Sequence, residues 1–215
     1  MLFRSSTLEF IHSVLNLGKI TINRDVRSPN CKLIINKTDL QEIIFPLLVH
    51  HNIFFLTFNR RYQFDLAMYI FNNNIKLYDD ITNIKEIPTN FKLPYVASDY
   101  LNLNFFNNWL VGFTNAEGYF CFKNNNDAYF HIKQRNHVEL FEAFKLFFNS
   151  NQKITIEKNM YGQFSLSSKT EIQKVINFFS FSGCHPLIGL KSIQYFKWLI
   201  DLHNSSRYKD LNFPK

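Results

Sequence analysis

An internal repeat constrains this chain more than any single motif does, because related halves of a chain adopt related folds. Matching segments and residues recur in the same order, 132 to 134 positions apart: Lys19–Ile22 with Lys153–Ile156, Lys37–Asp39 with Lys169–Glu171, Leu56 with Ile188, Phe58 with Leu190, and Phe64 with Phe196. Each match is weak alone. Their common order and spacing predict a duplicated domain.

Hydrophobic periodicity predicts the same elements in each copy. In the first copy helices are predicted near 7–17, 38–49 and 60–71, with strands at 19–23 and 32–36. In the second copy helices are predicted near 137–149, 169–181 and 191–203, with strands around Ile154–Ile156 and Phe164–Leu166 and a turn at 159–162. We therefore predict an α+β protein with a first unit at 1–71, a linker at 72–103 and a complete second unit at 104–215.

The composition narrows the function classes. Twenty-four Lys and Arg residues against seventeen Asp and Glu residues give a net charge of +7, which favours a polyanionic partner such as nucleic acid. No apolar run approaches the roughly 18 residues of a membrane span. Cys31, Cys121 and Cys184 are too few and too scattered for a disulfide framework or a zinc site. The abundance of Phe, Asn, Ile, Lys and Tyr is typical of AT-rich genomes and favours a mitochondrial origin.

One segment of the second copy has no counterpart in the first. This signature segment, Leu110-Val-Gly-Phe-Thr-Asn-Ala-Glu-Gly118, resembles the signature of the LAGLIDADG homing endonuclease and intron maturase family, and the resemblance extends over nearly the whole chain from Leu8. It departs from the family at Asn115, where Asp is usual, while Glu117 is a common variant of the acidic position. The resemblance implies two pseudo-symmetric αββαββα units, parallel packing of the signature helices and a saddle of strands that lies on nucleic acid.

The resemblance also implies functional roles. Glu117 would be the catalytic acid and would bind Mg²⁺, which activates water and offsets charge on the leaving oxygen. Lys191 would stabilise developing negative charge near the scissile phosphate. Gly112 would let another helix approach closely, and Gly118 would end the signature helix. Spacing alone favours the interpretation of Glu117 as a solvated residue at a helix end.

Strand 128–135 suits a nucleic-acid surface, since Phe130 and Ile132 alternate with Lys, Arg, His and Tyr side chains. The candidate nucleic-acid contacts in the two copies are Lys19, Thr21, Asn23, Arg24, Arg27, Lys123, Tyr129, His131, Lys133, Arg135, Lys153, Thr155, Lys158, Gln163 and Ser165. For each of them an ordinary solvated sheet face is an equally good interpretation.

The repeat offset places the counterpart of Glu117 before residue 1, so the first copy is predicted to lack its signature helix and its first two strands. One acid cannot build the paired metal site, because each metal needs several oxygen ligands. The leading hypothesis is a protein that binds structured RNA without cutting, either intron maturase-like or part of a mitochondrial ribosome. The alternatives are a Mg²⁺-dependent DNA endonuclease completed by dimerisation or a further N-terminal segment, and a protein-interaction module that uses the Gly112 face.

Overall fold

A computed structural model of the chain describes residues 2–25, 27, 29–82, 86–89, 91–135, 137–157 and 160–215. In chain order its elements are α1 (Leu2–Leu15), β1 (Lys19–Asn23), β2 (Asn30–Ile34), α2 (Lys37–Asp39), a π-helical turn (Leu40–Ile44), α3 (Phe45–His50), α4 (Phe58–Asn72), α5 (Tyr78–Thr82), α6 (Ala97–Leu101), α7 (Phe106–Glu117), β3 (Gly118–Phe122), β4 (Ala128–Arg135), α8 (Val138–Phe147), β5 (Thr155–Ile156), β6 (Tyr161–Leu166), α9 (Lys169–Phe181) and α10 (Gly189–Asn204). No helix among these elements is both long and apolar enough to span a membrane.

The chain packs as two units, and their bounds differ from those predicted. The larger unit comprises Met1–Ile11 and Tyr95–Lys215, and the smaller one comprises His12–Pro94. The start of α1 belongs to the larger unit because Phe10 packs edge-on against the ring of His185, with 5.5 Å between the ring centroids. The predicted division into two homologous copies remains a prediction.

In the larger unit the order α7-β3-β4-α8-β5-β6-α9 is the αββαββα unit that the resemblance implies, and α10 follows it. The strands form an antiparallel sheet in the order β3-β4-β6-β5. The predicted bounds 128–135 and 169–181 agree with β4 and α9. The turn predicted at 159–162 is shorter than expected, since Tyr161 and Gly162 already pair in β6.

Alternation along the strands separates a buried face from a polar one. Phe130, Ile132 and Leu166 are fully buried on one face. Helices α8 and α9 cover this face: Phe144 of α8 lies 6.0 Å from Phe164, and Phe179 of α9 lies 5.7 Å from Phe130, between ring centroids. Because each such side chain contributes roughly 1.5–3 kcal/mol when it leaves water, this layer fixes the sheet in place.

The smaller unit contains the two-stranded antiparallel sheet β1-β2 and helices α2 to α5. The order α1-β1-β2-α2/α3-α4 repeats the order α8-β5-β6-α9-α10 of the larger unit. Strand β2 covers 30–34 rather than the predicted 32–36. The core of this unit is aromatic, with Phe45, Phe54 and Phe64 buried.

The single helix predicted at 38–49 is interrupted by the π-helical turn. Pro46 has no N–H for the carbonyl four residues back, and its ring would clash with that carbonyl. The backbone widens just before it, so that the N–H of Phe45 donates to the carbonyl of Leu40, five residues back. The proline was visible in the sequence, and it predicts an interruption at this position.

Residues 72–103, predicted as a linker because they show no sustained hydrophobic period, contain the short helices α5 and α6. Phe91 is buried and packs on Phe54 and Phe64, with ring centroids 5.0 and 5.9 Å away. One buried aromatic residue therefore anchors a segment that shows no hydrophobic period, and its role as a linker between two copies stays a prediction.

Candidate nucleic-acid interface

The surface of the four-stranded sheet that faces away from the helices is lined by polar and aromatic side chains. The strand register places the following residues on it, and we call this set the polar sheet face: Tyr119, Cys121, Tyr129, His131, Lys133, Arg135, Thr155, Tyr161, Gln163 and Ser165. The predicted alternation of β4 is confirmed, because Phe130 and Ile132 are buried and Lys133 and Arg135 are exposed. The structure thus brings the β4 candidates together with those of β5 and β6.

Hydrogen bonds arrange the centre of the polar sheet face. The hydroxyls of Tyr129 and Ser165 are 2.7 Å apart, and the side-chain amide of Gln163 donates to Ser165 Oγ at 3.0 Å and to the hydroxyl of Tyr129. Lys123, which follows β3, holds its Nζ 4.2 Å from the centroid of the Tyr129 ring. These contacts limit the conformations of the side chains before any ligand arrives.

Lys133 is paired with an acid on the same face. Its Nζ lies 2.7 Å from a carboxylate oxygen of Glu157, and both side chains are more than two-fifths exposed. An exposed pair of this kind adds at most about 1 kcal/mol to stability. Its consequence is electrostatic, since Glu157 offsets the positive charge that Lys133 would otherwise present.

Glu117 ends α7, and Gly118 begins β3 directly after it, as predicted. The glycine ends the helix in an extended conformation, with φ −78° and ψ 155°, so it is not needed here for a left-handed backbone. A Cβ at Gly118 would lie 2.5 Å from Thr114 Cγ2 and 2.9 Å from the carbonyl oxygen of Thr114. Gly118 therefore provides space for the tight turn that directs Glu117 to the end of the sheet.

Lys191 on α10 lies beside this turn. Its Nζ donates to the carbonyl of Gly118 and, at 3.0 Å, to Gln194 Oε1. Burial lowers the pKa of Lys191, and the Glu117 carboxylate partly offsets this effect. The two residues to which the resemblance assigns catalysis are therefore neighbours in space, although 74 positions separate them. An acid and a cation together can hold a metal-bound phosphate.

Asn115, where the family usually has Asp, forms hydrogen bonds through both the oxygen and the nitrogen of its side-chain amide. Its Oδ1 accepts from the backbone N–H of Ile188 at 3.0 Å, and its Nδ2 donates to the carbonyl of Val111 at 3.1 Å. Ile188 is the residue before α10, so this contact helps to set where Lys191 lies. An aspartate could accept from Ile188 but could not donate to Val111.

Among the candidates that the structure describes, only His131 has a buried side-chain atom without a hydrogen-bond partner. Its Nδ1 is buried and has no hydrogen-bond partner within the part of the chain that the structure describes. The ring lies against Tyr129 and Tyr119, with centroids 4.9 and 5.5 Å away. Burial lowers the pKa of His131, and the charges of Lys133, Lys191 and Lys123 lower it further. An unpaired buried nitrogen costs roughly 1–3 kcal/mol, so a ligand or water is expected there.

The residues described by the structure contain no group of three or more His, Cys, Asp or Glu side chains that could hold a metal ion. Glu117 therefore needs additional oxygen ligands from elsewhere to bind Mg²⁺. Gly112, the predicted helix-packing position, is open: apart from its chain neighbours and the backbone of its own helix, no described atom lies within 4 Å of where its Cβ would be.

The remaining candidates lie elsewhere. Lys19, Thr21 and Asn23 are on β1 in the smaller unit. Arg24 and Arg27 follow β1 and are exposed. Lys153 precedes β5 rather than lying within it, because the strand is only two residues long. Lys158 lies outside the described residues.

Sequence reasoning missed several residues of the site: Tyr119, Tyr161, Glu157 and Gln194. Tyr119 could have been found from the alternation along β3. Phe120 and Phe122 lie on the apolar side of this strand, so Tyr119 and Cys121 lie on the opposite side. Glu157 could not, since its pairing with Lys133 depends on the register between strands.

Two proteins named as intron-encoded endonucleases are among the known sequences similar to this chain, and no protein-family model matches it. A probable intron-encoded endonuclease (aI3) of Dictyostelium discoideum is 26% identical over 183 residues, which cover 84% of this chain and 75% of that protein. The corresponding protein of Dictyostelium citrinum is 31% identical over 121 residues, which are 55% of this chain. The chain spans about half the length of the latter, 49%.

Comparison with solved structures decides the fold. I-SmaMI bound to an uncleaved DNA target in the presence of calcium ions matches with a TM-score of 0.65 and 18% identity, over 92% of this chain and 76% of that one. The LAGLIDADG homing endonuclease I-GzeII in complex with its DNA target matches with a TM-score of 0.64 and 19% identity, over 96% and 81%. This chain has the LAGLIDADG homing-endonuclease fold. The fold that the resemblance in the signature segment implies is thereby confirmed.

Proposed function

We propose that this chain is a LAGLIDADG-derived nucleic-acid-binding protein whose polar sheet face contacts the ligand. The observation that carries the proposal is that the polar sheet face adjoins the candidate catalytic pair. The face ends at Tyr119, directly beside Glu117 and Lys191. A ligand on the sheet would therefore place its phosphates next to an acid and a lysine. Duplex DNA is the first ligand to test, because similar solved structures hold DNA targets.

The side chains suit both parts of a nucleic acid. Lys123 and Arg135 can contact phosphates, which supply most of the affinity and make it depend on salt. Gln163 and Ser165 can donate to and accept from base edges in a groove. The net charge of +7 supports the same class of partner.

Glu117 would supply one carboxylate to a Mg²⁺ ion, with phosphate oxygens and water as further ligands. When bound, the metal would activate water and offset charge on the phosphate. Lys191 would hold its ammonium against the same phosphate, since its contact with the Gly118 carbonyl keeps it at this position. The remaining ligands would come from a second copy of the chain or from another polypeptide segment.

Structured RNA is the second candidate, as in an intron maturase or a mitochondrial ribosomal component. The similarity to proteins that are named as intron-encoded supports it. A mitochondrial location is part of this proposal and rests on the AT-rich residue bias.

Charge substitutions on the polar sheet face test the binding mode. Lys123→Ala and Arg135→Ala should each weaken binding by about 1 kcal/mol, or roughly fivefold, and reduce the salt slope by about one. Glu157→Gln should strengthen binding, because it removes the charge that offsets Lys133. The measurement is fluorescence anisotropy with labelled duplex DNA and with folded RNA over a range of salt concentrations.

Lys169→Ala is the matched control, since it removes the same charge from α9, whose helix covers the apolar side of the sheet. It should leave affinity unchanged. Equal weakening by Lys169→Ala and Arg135→Ala would contradict a specific role for the sheet face. The tighter of the two ligands at physiological salt decides between DNA and RNA.

Cutting is tested with the same protein, Mg²⁺ and a plasmid library of candidate sites. We expect no linear product from this chain alone, because the described residues place no group of further acidic or histidine ligands around Glu117. Efficient cutting of both strands that is abolished by Glu117→Gln would contradict this expectation and establish an active endonuclease.

A further inference from the structure

We propose that His131 contacts a backbone phosphate beside Tyr119 and Lys191, and that it takes up a proton when this phosphate binds. The inference rests on the proposed nucleic-acid binding and adds to it a specific phosphate position and a pH dependence of affinity. The protonation of His131 would thus depend on whether a phosphate is bound at the end of the sheet nearest Glu117.

The position of the ring supports the phosphate contact. His131 lies opposite Tyr119 on β3 and opposite Ser165 on β6. Both neighbouring tyrosine rings, Tyr119 and Tyr129, contact the imidazole, so its orientation is restricted. Its buried Nδ1 lacks a partner within the described ranges. Because this nitrogen is buried, the imidazole or a neighbouring tyrosine ring must shift for a phosphate oxygen to reach it, but no hydrogen bond recorded at Nδ1 has to break.

The surrounding charge selects an anion. The titratable and charged groups that face or act on His131 come from β3 and the turn after it, from β4 and from α10: Tyr119, Lys123, Tyr129, Lys133 and Lys191. Two acids act in turn on these lysines: Glu157 on Lys133, and Glu117 on Lys191. Each of the three lysines disfavours the imidazolium ion. A phosphate would be attracted by all three.

The same charges create the proton linkage. In the free protein, burial and the lysines hold the pKa of His131 below its ordinary value, so the ring is neutral at neutral pH. A bound phosphate adds a negative charge beside the ring and raises that pKa, because it stabilises the imidazolium. Affinity should therefore rise as pH falls through the pKa of the complex and level off below the pKa of the free protein. The largest possible slope is about tenfold per pH unit, which is one proton.

The first experiment measures the dissociation constant for a short duplex from about pH 5.5 to about pH 8.5, a range that brackets histidine titration, at constant ionic strength. His131→Gln keeps a hydrogen-bonding amide but cannot titrate, so its slope should be smaller than that of the wild type by up to one proton. His203→Gln is the control, because this exposed histidine lies near the end of α10 against Phe213. It should retain the wild-type slope.

The second experiment needs no variant and so does not depend on how well His131→Gln folds. The ring resonances of the wild-type histidines are titrated by NMR in the free protein, with inorganic phosphate and with duplex. An upward pKa shift of His131 with both ligands indicates a general phosphate site, and a shift with duplex alone indicates a site formed with the polymer. Either supports the proposal.

Three results would overturn it. An unshifted His131 in both titrations excludes the phosphate contact, and equal pH slopes for wild type and His131→Gln exclude the proton uptake. In both cases binding itself persists, so the proposed function survives. Absence of binding to any nucleic acid at every pH contradicts the proposed function and this inference together.

Discussion

Trp198→Ala should lower the free energy of unfolding by about 3–5 kcal/mol, the usual cost of truncating a buried aromatic residue. Trp198 is 2% exposed, and its ring lies 5.3 Å from Phe120 and 6.1 Å from Tyr195, between centroids. Its Nε1 donates to the backbone carbonyl of Cys121 at 3.1 Å. Truncation would leave both a cavity and an unpaired carbonyl. Urea denaturation followed by circular dichroism measures the change.

The substitution should also impair the site, since Trp198 joins α10 to β3. Lys191 lies two turns before Trp198 on α10, and Glu117 immediately precedes β3. Loosening this contact would let the lysine move relative to the acid. Any effect on nucleic-acid affinity should be measured at a temperature where circular dichroism shows the variant to be folded.

Trp198→Phe separates packing from hydrogen bonding. Phenylalanine keeps an aromatic ring but loses the Nε1 donor, so its unfolding free energy should lie between those of wild type and Trp198→Ala. The lost hydrogen bond should account for about 1 kcal/mol of the difference. A Trp198→Ala protein within about 1 kcal/mol of wild type would show that α10 does not pack on β3 as described.

The sequence predicted those parts of the fold that depend on local periodicity. Strand β4 and helix α9 have the predicted bounds, because an alternating or helical pattern is complete within each segment. The hydrophobic pattern was insufficient where a single residue, rather than the periodicity, determines the local structure. Pro46 interrupts an otherwise helical pattern, and Phe91 anchors a segment that has no pattern.

The site was less predictable, because its residues meet through tertiary structure. Glu117 and Lys191 were paired only through resemblance to a known family, since nothing local relates positions so far apart. The pairing of Lys133 with Glu157 and the position of His131 among three lysines follow from strand register. Register depends on how the strands pair, which the hydrophobic pattern of one strand restricts but does not determine.

Glu171→Ala should be the second strongly destabilising change, with an expected loss of about 2–3 kcal/mol from a helix cap and from unpaired buried donors. Glu171 is buried, and Ser168 caps α9 in a capping box with it. One carboxylate oxygen accepts from the hydroxyl of Ser150 at 2.5 Å. The other accepts from the Ser168 hydroxyl at 2.8 Å and from the backbone N–H groups of Ser167 and Ser168.

The contribution of Glu171 to the free energy of unfolding should decrease as the pH becomes acidic. Burial acts to raise the pKa of Glu171, but the hydrogen bonds from Ser150, Ser168 and the backbone outweigh burial and hold the pKa below its ordinary value of 4.5. A lowered carboxylate pKa stabilises the fold above the unfolded-state pKa and loses this effect as pH falls through the folded-state value. The stability difference between wild type and Glu171→Gln should therefore be largest near neutral pH and shrink below about pH 5.

Glu171→Gln keeps the size of the side chain and one accepting oxygen, so it should be more stable than Glu171→Ala at neutral pH. A difference from wild type that stays constant with pH would contradict a charged, hydrogen-bonded Glu171. The effect should reach the polar sheet face, because Ser150 precedes the β5–β6 segment and Ser168 follows it. Glu171 joins both ends of the segment that carries Thr155, Gln163 and Ser165. Its loss should therefore weaken nucleic-acid binding without removing any group that touches the ligand.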